Sequence, residues 1–187
     1  PTAAQLSAAR SALEALATRM LVSWYRYDLP FGVSQASDRS GRLSQYTYDG
    51  AGRLTAVLDE SGNRISSYAY ALTNGASGAP NSIDAYTHTA AASGATDGIR
   101  DVAFFDGLGR TVQTIAVRAA TGSQDLVTPV VPDFLDREDA RVFLPYRAII
   151  SSGSAAGAFR ASALADQQTY YGAGVRAYSE NTYEQSD

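Results

Sequence analysis

Four aspartates occur in the same short motif, D-x-x-G, and their carboxylates are the groups in this sequence best suited to acid–base catalysis or metal binding. The phrase pairs each aspartate with a glycine three positions later: Asp38 with Gly41, Asp49 with Gly52, Asp59 with Gly62, and Asp106 with Gly109. Two carboxylates held close together can act as the acid and base of a glycosidase. Such a pair needs one unique geometry, whereas these aspartates recur along the chain. The periodic placement therefore favours an architectural role.

Oxygen atoms in the same phrases could also bind calcium. The run DESGN, residues 59–63, is rich in side-chain oxygens, but it lacks the alternating acids and the distant glutamate of an EF-hand loop. Aspartate is common at the first position of a turn, where its side chain accepts backbone N–H groups. The sequence therefore predicts structural turns rather than a metal site.

The remaining residue types narrow the catalytic possibilities further. His88 is the sole histidine, and a Ser-His-Asp triad would have to use it, yet no G-x-S-x-G phrase is present. The absence of cysteine excludes thiol nucleophiles, disulfides and cysteine-bound zinc. All 15 basic residues are arginine, which excludes Schiff-base and P-loop lysines. We therefore expect no enzyme activity and no cofactor, and a histidine that lies on a strand face or in solvent.

Tyrosines and one arginine near the turns are the candidate binding residues. Within each pair, Tyr46 with Tyr48 and Tyr68 with Tyr70, the two side chains point to the same face of an extended strand. Rings on one face could hold a sugar, or they could pack across strands as a ladder. Arg53 follows a turn directly, and its guanidinium could bind an anion or a sugar, pair with a turn carboxylate, or stack on a tyrosine. The residue types are compatible with each interpretation.

The spacing of the phrases predicts the elements that carry these side chains. Asp38, Asp49 and Asp59 are 11 and 10 residues apart, which is one strand plus one turn, and the doubled unit of 21 residues is an internal repeat. Glycine at the fourth position can adopt a positive φ, as a type I turn followed by a left-handed residue requires. The alternating runs between the turns predict an antiparallel meander with strands near residues 42–48, 53–58 and 64–70.

The fold class predicted from these patterns is mainly β: an antiparallel twisted sheet of hairpins, with a helix at the N-terminus and a short helix near residues 160–171. Residues 83–89 are a further strand candidate inside a Gly-, Ala-, Ser- and Thr-rich stretch. Four segments follow from the composition: a helix at 1–20, β-repeats at 21–72, a linker at 73–99, and a second β-repeat module with the short helix at 100–187.

Charge and hydropathy limit the partners. The formal net charge of −4 argues against nucleic acid, because phosphate binding needs a concentrated basic patch. No apolar run approaches ~20 residues, so no membrane span is expected. The sequence begins PTAAQ, without methionine and without a charged-then-apolar leader, which predicts a fragment or a processed chain and shows no signal peptide.

The repeat resembles a known family. The run YTYDGAGRLTAVLDESGN is similar to the YD repeat of RHS-type proteins, with its Y-x-Y-D-x-x-G-R-L core and a following D-x-x-G-N, and WYRYD with DRSGR resembles a degenerate upstream copy. The later runs FFDGLGRTVQT, LVTPVV, FLPY, ALADQQTYY and AYSENTYE resemble the segment that opens RHS-type proteins of the Bacteroidetes group. The resemblance covers roughly residues 20–187, and it departs from the repeat where Ala71, rather than aspartate, follows Tyr70.

This resemblance implies a shell. In the family, the repeats form strands of a long sheet that spirals into a hollow β-shell, which encloses a C-terminal toxin or is displayed at the bacterial cell surface. The implied partners are other segments of the same shell or parent chain and an enclosed toxin or effector. The alternative function is a surface module that uses its tyrosine-rich faces to bind a glycan or another protein. The implied location is secreted or at the cell surface. Self-cleaving shells of the family carry a D-P-x-G-like motif, and no D-P dipeptide occurs here, so that activity is not expected.

Overall fold

The computed structural model describes residues 3–17, 23–73, 80–89, 94, 98–132, 139–148 and 155–181. These residues form two helices and twelve strands, and the strand pairs are antiparallel, so the predicted mainly β class is confirmed. In chain order the elements are α1 (Ala3–Ala17), β1 (Trp24–Asp28), β2 (Gly32–Ser37), β3 (Leu43–Tyr48), β4 (Leu54–Leu58), β5 (Arg64–Ala71), β6 (Asn81–Thr87), β7 (Ile99–Phe105), β8 (Thr111–Ala120), β9 (Gln124–Pro132), β10 (Asp139–Phe143), β11 (Tyr146–Ala148), α2 (Ala163–Tyr171) and β12 (Tyr178–Glu180).

Two compact units divide the chain. The first contains Pro1–Tyr68 and Thr87–Gly98, and the second contains Ala69–Tyr86 and Ile99–Asp187. In the first unit β1, β2, β3, β4 and β5 pair in sequence order, as expected for a meander of hairpins. In the second unit β7, β8 and β9 pair in order, and the far edge of β9 is shared by β11 and β10. Among the strands that the structure describes, neither order closes on itself.

The meander of the first unit follows the predicted repeat closely. Strands were expected near residues 42–48, 53–58 and 64–70, and β3, β4 and β5 begin and end within one residue of those bounds. Regular alternation sets the register, in which Tyr46 lies opposite Val57 and Val57 lies opposite Ser66. The same register therefore places aliphatic and hydroxyl side chains, and not a second tyrosine, across from Tyr46.

A row of apolar residues forms the core of the second unit. Val102, Ile115, Val127 and Tyr146 lie directly opposite one another across β7, β8, β9 and β11, and each is at most 3% exposed. Helix α2 covers this row through the buried Ala163 at its start. The row exists because period-two alternation brings the apolar face of each strand to the same side of the sheet.

Both predicted helices are present. The N-terminal helix predicted for residues 1–20 is α1, and residues 1–2 and 18–20 of that prediction lie outside the described residues. The short helix predicted near 160–171 is α2. A strand of seven residues, β6, lies inside the stretch predicted as a linker at 73–99. The four-segment division remains a prediction. Neither described helix is long and apolar enough to cross a membrane.

Candidate functional site

The four D-x-x-G phrases form turns with one common geometry. In each, the glycine N–H donates to the aspartate carbonyl at 3.0–3.1 Å, and the aspartate N–H donates to the carbonyl of the residue four positions later at 2.9–3.1 Å. The four glycines adopt left-handed φ angles of 77–82°, which residues with a side chain rarely adopt. The residues involved are Asp38, Gly41, Asp49, Gly52, Asp59, Gly62, Asp106 and Gly109.

Each turn carboxylate is bonded to the backbone of its own turn. In the second turn, Oδ1 of Asp49 accepts the N–H groups of Ala51 and Arg53, both at 2.9 Å. The other three aspartates accept the equivalent pair of N–H groups at 2.8–3.0 Å. These bonds occupy lone pairs that a general base or a calcium ligand would need. In the described part of the chain, no cluster of three or more histidines or acids is arranged to hold a metal ion.

The turns differ in the side chain that donates to the second carboxylate oxygen, Oδ2, of the aspartate. Arg53 donates to Oδ2 of Asp49 from Nε and Nη2, both at 2.7 Å, and Arg110 makes the same two-pronged contact with Asp106 at 2.8 and 2.7 Å. The third turn replaces the arginine by Asn63, which donates to Asp59 at 3.0 Å. Arg53, a candidate ligand-binding residue, is therefore bonded inside its turn in this structure.

The turn bonds make the stability of the protein sensitive to acid. Hydrogen bonds from the backbone N–H of Arg53, and then from its side chain, hold the pKa of Asp49 below its ordinary value of 3.8. The pKa values of the other three turn aspartates are also lowered by hydrogen bonds. The main donor is the Ser40 side chain for Asp38, the Asn63 side chain for Asp59 and the Arg110 backbone for Asp106. A carboxylate with a lowered folded-state pKa stabilises the fold above its unfolded pKa and loses that contribution as the pH falls through its folded pKa.

We therefore expect the melting temperature to be flat above about pH 5 and to fall below about pH 4, and to fall less steeply in Asp106→Asn. Thermal melts across this pH range test it, with Asp101→Asn, an exposed aspartate on β7, as the matched control. Identical acid slopes for the parent, Asp106→Asn and the control would contradict the assignment.

The four candidate tyrosines have different surroundings. The hydroxyl of Tyr48 donates to the Val33 carbonyl at 2.8 Å, and its ring stacks on Phe31 with 6.4 Å between centroids. A register shift between Thr47 and Tyr48 interrupts the alternation from which a shared face with Tyr46 was predicted. Tyr46, Tyr68 and Tyr70 are half-buried; the first two belong to the first unit and Tyr70 to the second.

His88 has a partner that sequence patterns did not indicate. Its Nε2 lies 2.9 Å from Oγ of Ser67, and its backbone N–H donates to the Ile65 carbonyl at 2.9 Å. Ser67 is only 3% exposed, so its hydroxyl is closed to a substrate. The contact fastens the chain at His88 to β5, and no sequence motif links two residues 21 positions apart.

A second polar cluster, the polar clamp, consists of Arg100, Gln113 and Asp125. It lies on β7, β8 and β9, and it holds the segment at residues 156–160. Arg100 donates to the Ala156 carbonyl, Gln113 bonds both the N–H and the carbonyl of Arg160, and Asp125 accepts the Gly157 N–H, at distances of 2.8–3.0 Å. Arg100 also pairs with Asp84 at 2.7 Å.

Comparison with known families finds two matches. Residues 79–187 match the model of a family described as "Domain of unknown function (DUF6443)", and this match contains the Asp106 turn and the polar clamp. Residues 27–64 match the model described as "RHS Repeat", which contains the turns at Asp38, Asp49 and Asp59. No curated protein matches the chain.

Proposed function

We propose that this chain, which belongs to the DUF6443 family and is an RHS/YD-repeat protein, is a structural segment of a β-shell with no catalysis of its own. The observation that carries the proposal is the repetition of one turn. The carboxylates of all four turns are bonded to backbone N–H groups of their own turn, so the residues with the greatest catalytic potential already have an architectural task.

The open strand order supports association with other segments of the parent protein. A sheet that does not close has strand edges with unpaired N–H and carbonyl groups, and such edges need covering. Further repeats of the same geometry would supply that cover, since each adds one hairpin in register with the last. The RHS-repeat match supports the same conclusion.

In the finer form of the proposal, the completed shell encloses a toxin or effector, or is displayed at the bacterial surface, and the protein is secreted or surface-bound. RHS-repeat proteins are generally found outside the cell or at its surface, and this supports the location. A closed shell gives the two faces of each strand different environments, one towards the cargo and one towards solvent. That difference is measurable.

Cysteine labelling tests the shell, because the chain has no cysteine of its own. Thr47 and Ser44 lie three positions apart on β3 and therefore point to opposite faces. We expect Thr47→Cys and Ser44→Cys both to react with a bulky polyethylene glycol maleimide in the 187-residue chain, and only one of them to react in the folded product of the complete reading frame.

A small maleimide, which can enter a shell through narrow openings, is the control for cysteine reactivity. Equal labelling of both variants by the bulky reagent in the complete product would overturn enclosure. After unfolding in denaturant, both variants should react fully with the bulky reagent. Residual protection of either cysteine in the denatured protein would reveal a reagent artefact.

The turn assignment makes its own prediction at Gly52. Valine there must adopt a φ near the observed 77°, and its Cβ would lie 3.4 Å from the Phe31 ring, so we expect Gly52→Val to lower the free energy of unfolding by about 1–3 kcal/mol. Chemical denaturation followed by fluorescence of Trp24, the single tryptophan and a residue of the same unit, measures it.

Gly50 supplies the matched control, since it lies in the same turn, has no left-handed φ and has open space around its Cβ position. Gly50→Val is expected to change the free energy of unfolding by no more than about 0.5 kcal/mol. If the two variants unfold alike, the left-handed conformation at Gly52 is not what the turn requires.

A further inference from the structure

We propose that Asp49–Gly50 and Asp106–Gly107 are sites of isoaspartate formation. In the intact turns, Arg53 and Arg110 suppress this modification by binding the aspartate carboxylates. An aspartate followed by glycine is especially prone to it, because glycine has no side chain to hinder attack by its own backbone nitrogen. The inference concerns the chemical durability of the turns and goes beyond the shell proposal.

The reaction uses only groups of the turn and water. The Gly50 nitrogen attacks Cγ of the protonated Asp49 side chain, so that a C–N bond forms, a C–O bond breaks, and the hydroxyl group leaves as water with the amide proton. The product is a cyclic imide. Water then adds to the carbonyl that belonged to the backbone, and the bond from that carbonyl to the imide nitrogen breaks. The chain now continues through the side-chain carboxyl, which is isoaspartate.

Both glycine nitrogens are open to this reaction. Gly50 and Gly107 are exposed, and a Cβ placed on either would meet no atom within 4 Å beyond its own chain neighbours. Neither N–H makes a hydrogen bond with the part of the chain that the structure describes. The nucleophile is therefore unhindered, and resistance to the reaction has to come from the aspartate.

Four hydrogen bonds hold each of the two carboxylates. Oδ1 of Asp49 accepts the backbone N–H groups of Ala51 and Arg53, and Oδ2 accepts Nε and Nη2 of Arg53. The four equivalent groups bind Asp106. Imide formation requires the carboxyl to be protonated, to turn towards the glycine nitrogen and to release one oxygen. Charge-assisted bonds to both oxygens of an ionised carboxylate oppose each of these changes.

The distribution of arginine among the four turns supports this role. The two turns whose carboxylate binds an arginine side chain are the two in which glycine follows the aspartate. In the others, Arg39 or Glu60 follows the aspartate, and the side chain of Ser40 or Asn63 bonds the carboxylate. A side chain on the following residue hinders its nitrogen, so these turns resist the reaction without arginine. The remaining Asp–Gly pair, at residues 97–98, is not part of a D-x-x-G motif, and its aspartate lies outside the described residues.

Peptide mapping of the 187-residue chain after incubation in mildly acidic buffer tests the proposal, with electron-transfer fragmentation to distinguish isoaspartate from aspartate. Glu60→Gly places an Asp–Gly pair in the third turn, which has no arginine. We expect isoaspartate to form at Asp59 of this variant at least about tenfold faster than at Asp49 of the same molecule. Adding Asn63→Arg should return the rate at Asp59 to that at Asp49.

Arg53→Gln and Arg110→Gln control for each other, since each leaves the other turn intact. Arg53→Gln should raise the rate at Asp49 about tenfold and leave the rate at Asp106 unchanged, and Arg110→Gln should do the reverse. Both rates are read from one sample, so a difference between them cannot come from the buffer or the incubation.

A pH series separates the binding of the carboxylate from a loosened turn. The rate at Asp49 should fall as the pH rises through the pKa of this carboxyl, because the ionised group is the poorer electrophile. Hydrogen bonds from the backbone N–H and the side chain of Arg53 lower that pKa in the parent, so the midpoint of the fall should move to higher pH in Arg53→Gln. Loosening alone would raise the rate without moving the midpoint.

Equal rates at Asp49 and Asp59 in Glu60→Gly, an unchanged rate at Asp49 in Arg53→Gln, an equal rise at Asp106 in that variant, or an unshifted midpoint would each overturn the proposal. None of these outcomes bears on the shell, whose test is the labelling of opposite strand faces.

Discussion

Replacing Asp125 by alanine is expected to lower the free energy of unfolding of the protein by about 3–5 kcal/mol. Asp125 is fully buried, and its two carboxylate oxygens accept the Arg118 N–H at 2.9 Å and the Gly157 N–H at 2.8 Å. Hydrogen bonds to a charged group contribute about 1.5–3 kcal/mol each. Alanine removes both acceptors at once and leaves the two donors without them.

The backbone at both donors depends on the same carboxylate. Arg118 adopts a left-handed φ of 54°, unusual for a residue with a side chain, and Gly157 has a φ of 76°. The bond to Arg118 holds the irregular part of β8, where the register with β9 shifts, and the bond to Gly157 fixes the segment that precedes α2. Loss of Asp125 should therefore loosen both places.

Chemical denaturation measures the global effect, and hydrogen exchange of peptides that contain Arg118 and Gly157 measures the local one. Asp125→Asn keeps the size of the side chain and one acceptor oxygen, so its loss should be about half that of alanine. Asp101→Ala, at an exposed position on the neighbouring β7, is the control and should cost no more than about 0.5 kcal/mol. An Asp125→Ala variant as stable as this control would refute a structural role for the buried carboxylate.

Residues close together in sequence made the repeat predictable. The bonds of a D-x-x-G turn join residues at most four positions apart, so Asp49, Gly52 and Arg53 specify their turn without help from the rest of the fold. Strand bounds followed from the turns, because the run between two turns is too short for anything but one strand. This is why β3, β4 and β5 were predicted within one residue.

Long-range bonds could not be predicted in this way. The polar clamp joins Arg100 to Ala156, Gln113 to Arg160 and Asp125 to Gly157, over separations of 56, 47 and 32 residues, and no periodic pattern marks those pairs.

A single hydrogen bond also makes the surroundings of Arg42 differ from those of Arg53. Both follow a D-x-x-G turn, and sequence patterns leave the same alternatives open for both: a turn carboxylate, a tyrosine ring or a ligand. Ser40 bonds the Asp38 carboxylate in the first turn, whereas Ala51, at the equivalent position of the second, has no side-chain donor. The partner of the turn carboxylate therefore depends on that neighbour.

Replacing Phe104 by alanine is expected to lower the free energy of unfolding by about 3–5 kcal/mol, because a buried ring is lost and a cavity remains. Phe104 is 6% exposed and lies in the core cluster of the second unit with Val102 and Ile115. Its ring packs at an angle against Phe159, with 5.3 Å between centroids, so it links β7 to the segment that the polar clamp holds.

A double-mutant cycle separates this ring contact from burial. Phe104→Ala, Phe159→Ala and the double variant, compared by chemical denaturation, should give a coupling free energy of about 0.5–1.5 kcal/mol, the contribution of an aromatic pair beyond the area it buries. Leu108→Ala, at a residue that is 77% exposed in the neighbouring turn, is the control and should change stability by no more than about 0.5 kcal/mol. Strict additivity in the cycle would mean that the Phe104 and Phe159 rings contribute only through the area that each buries, which would contradict a specific ring–ring contact.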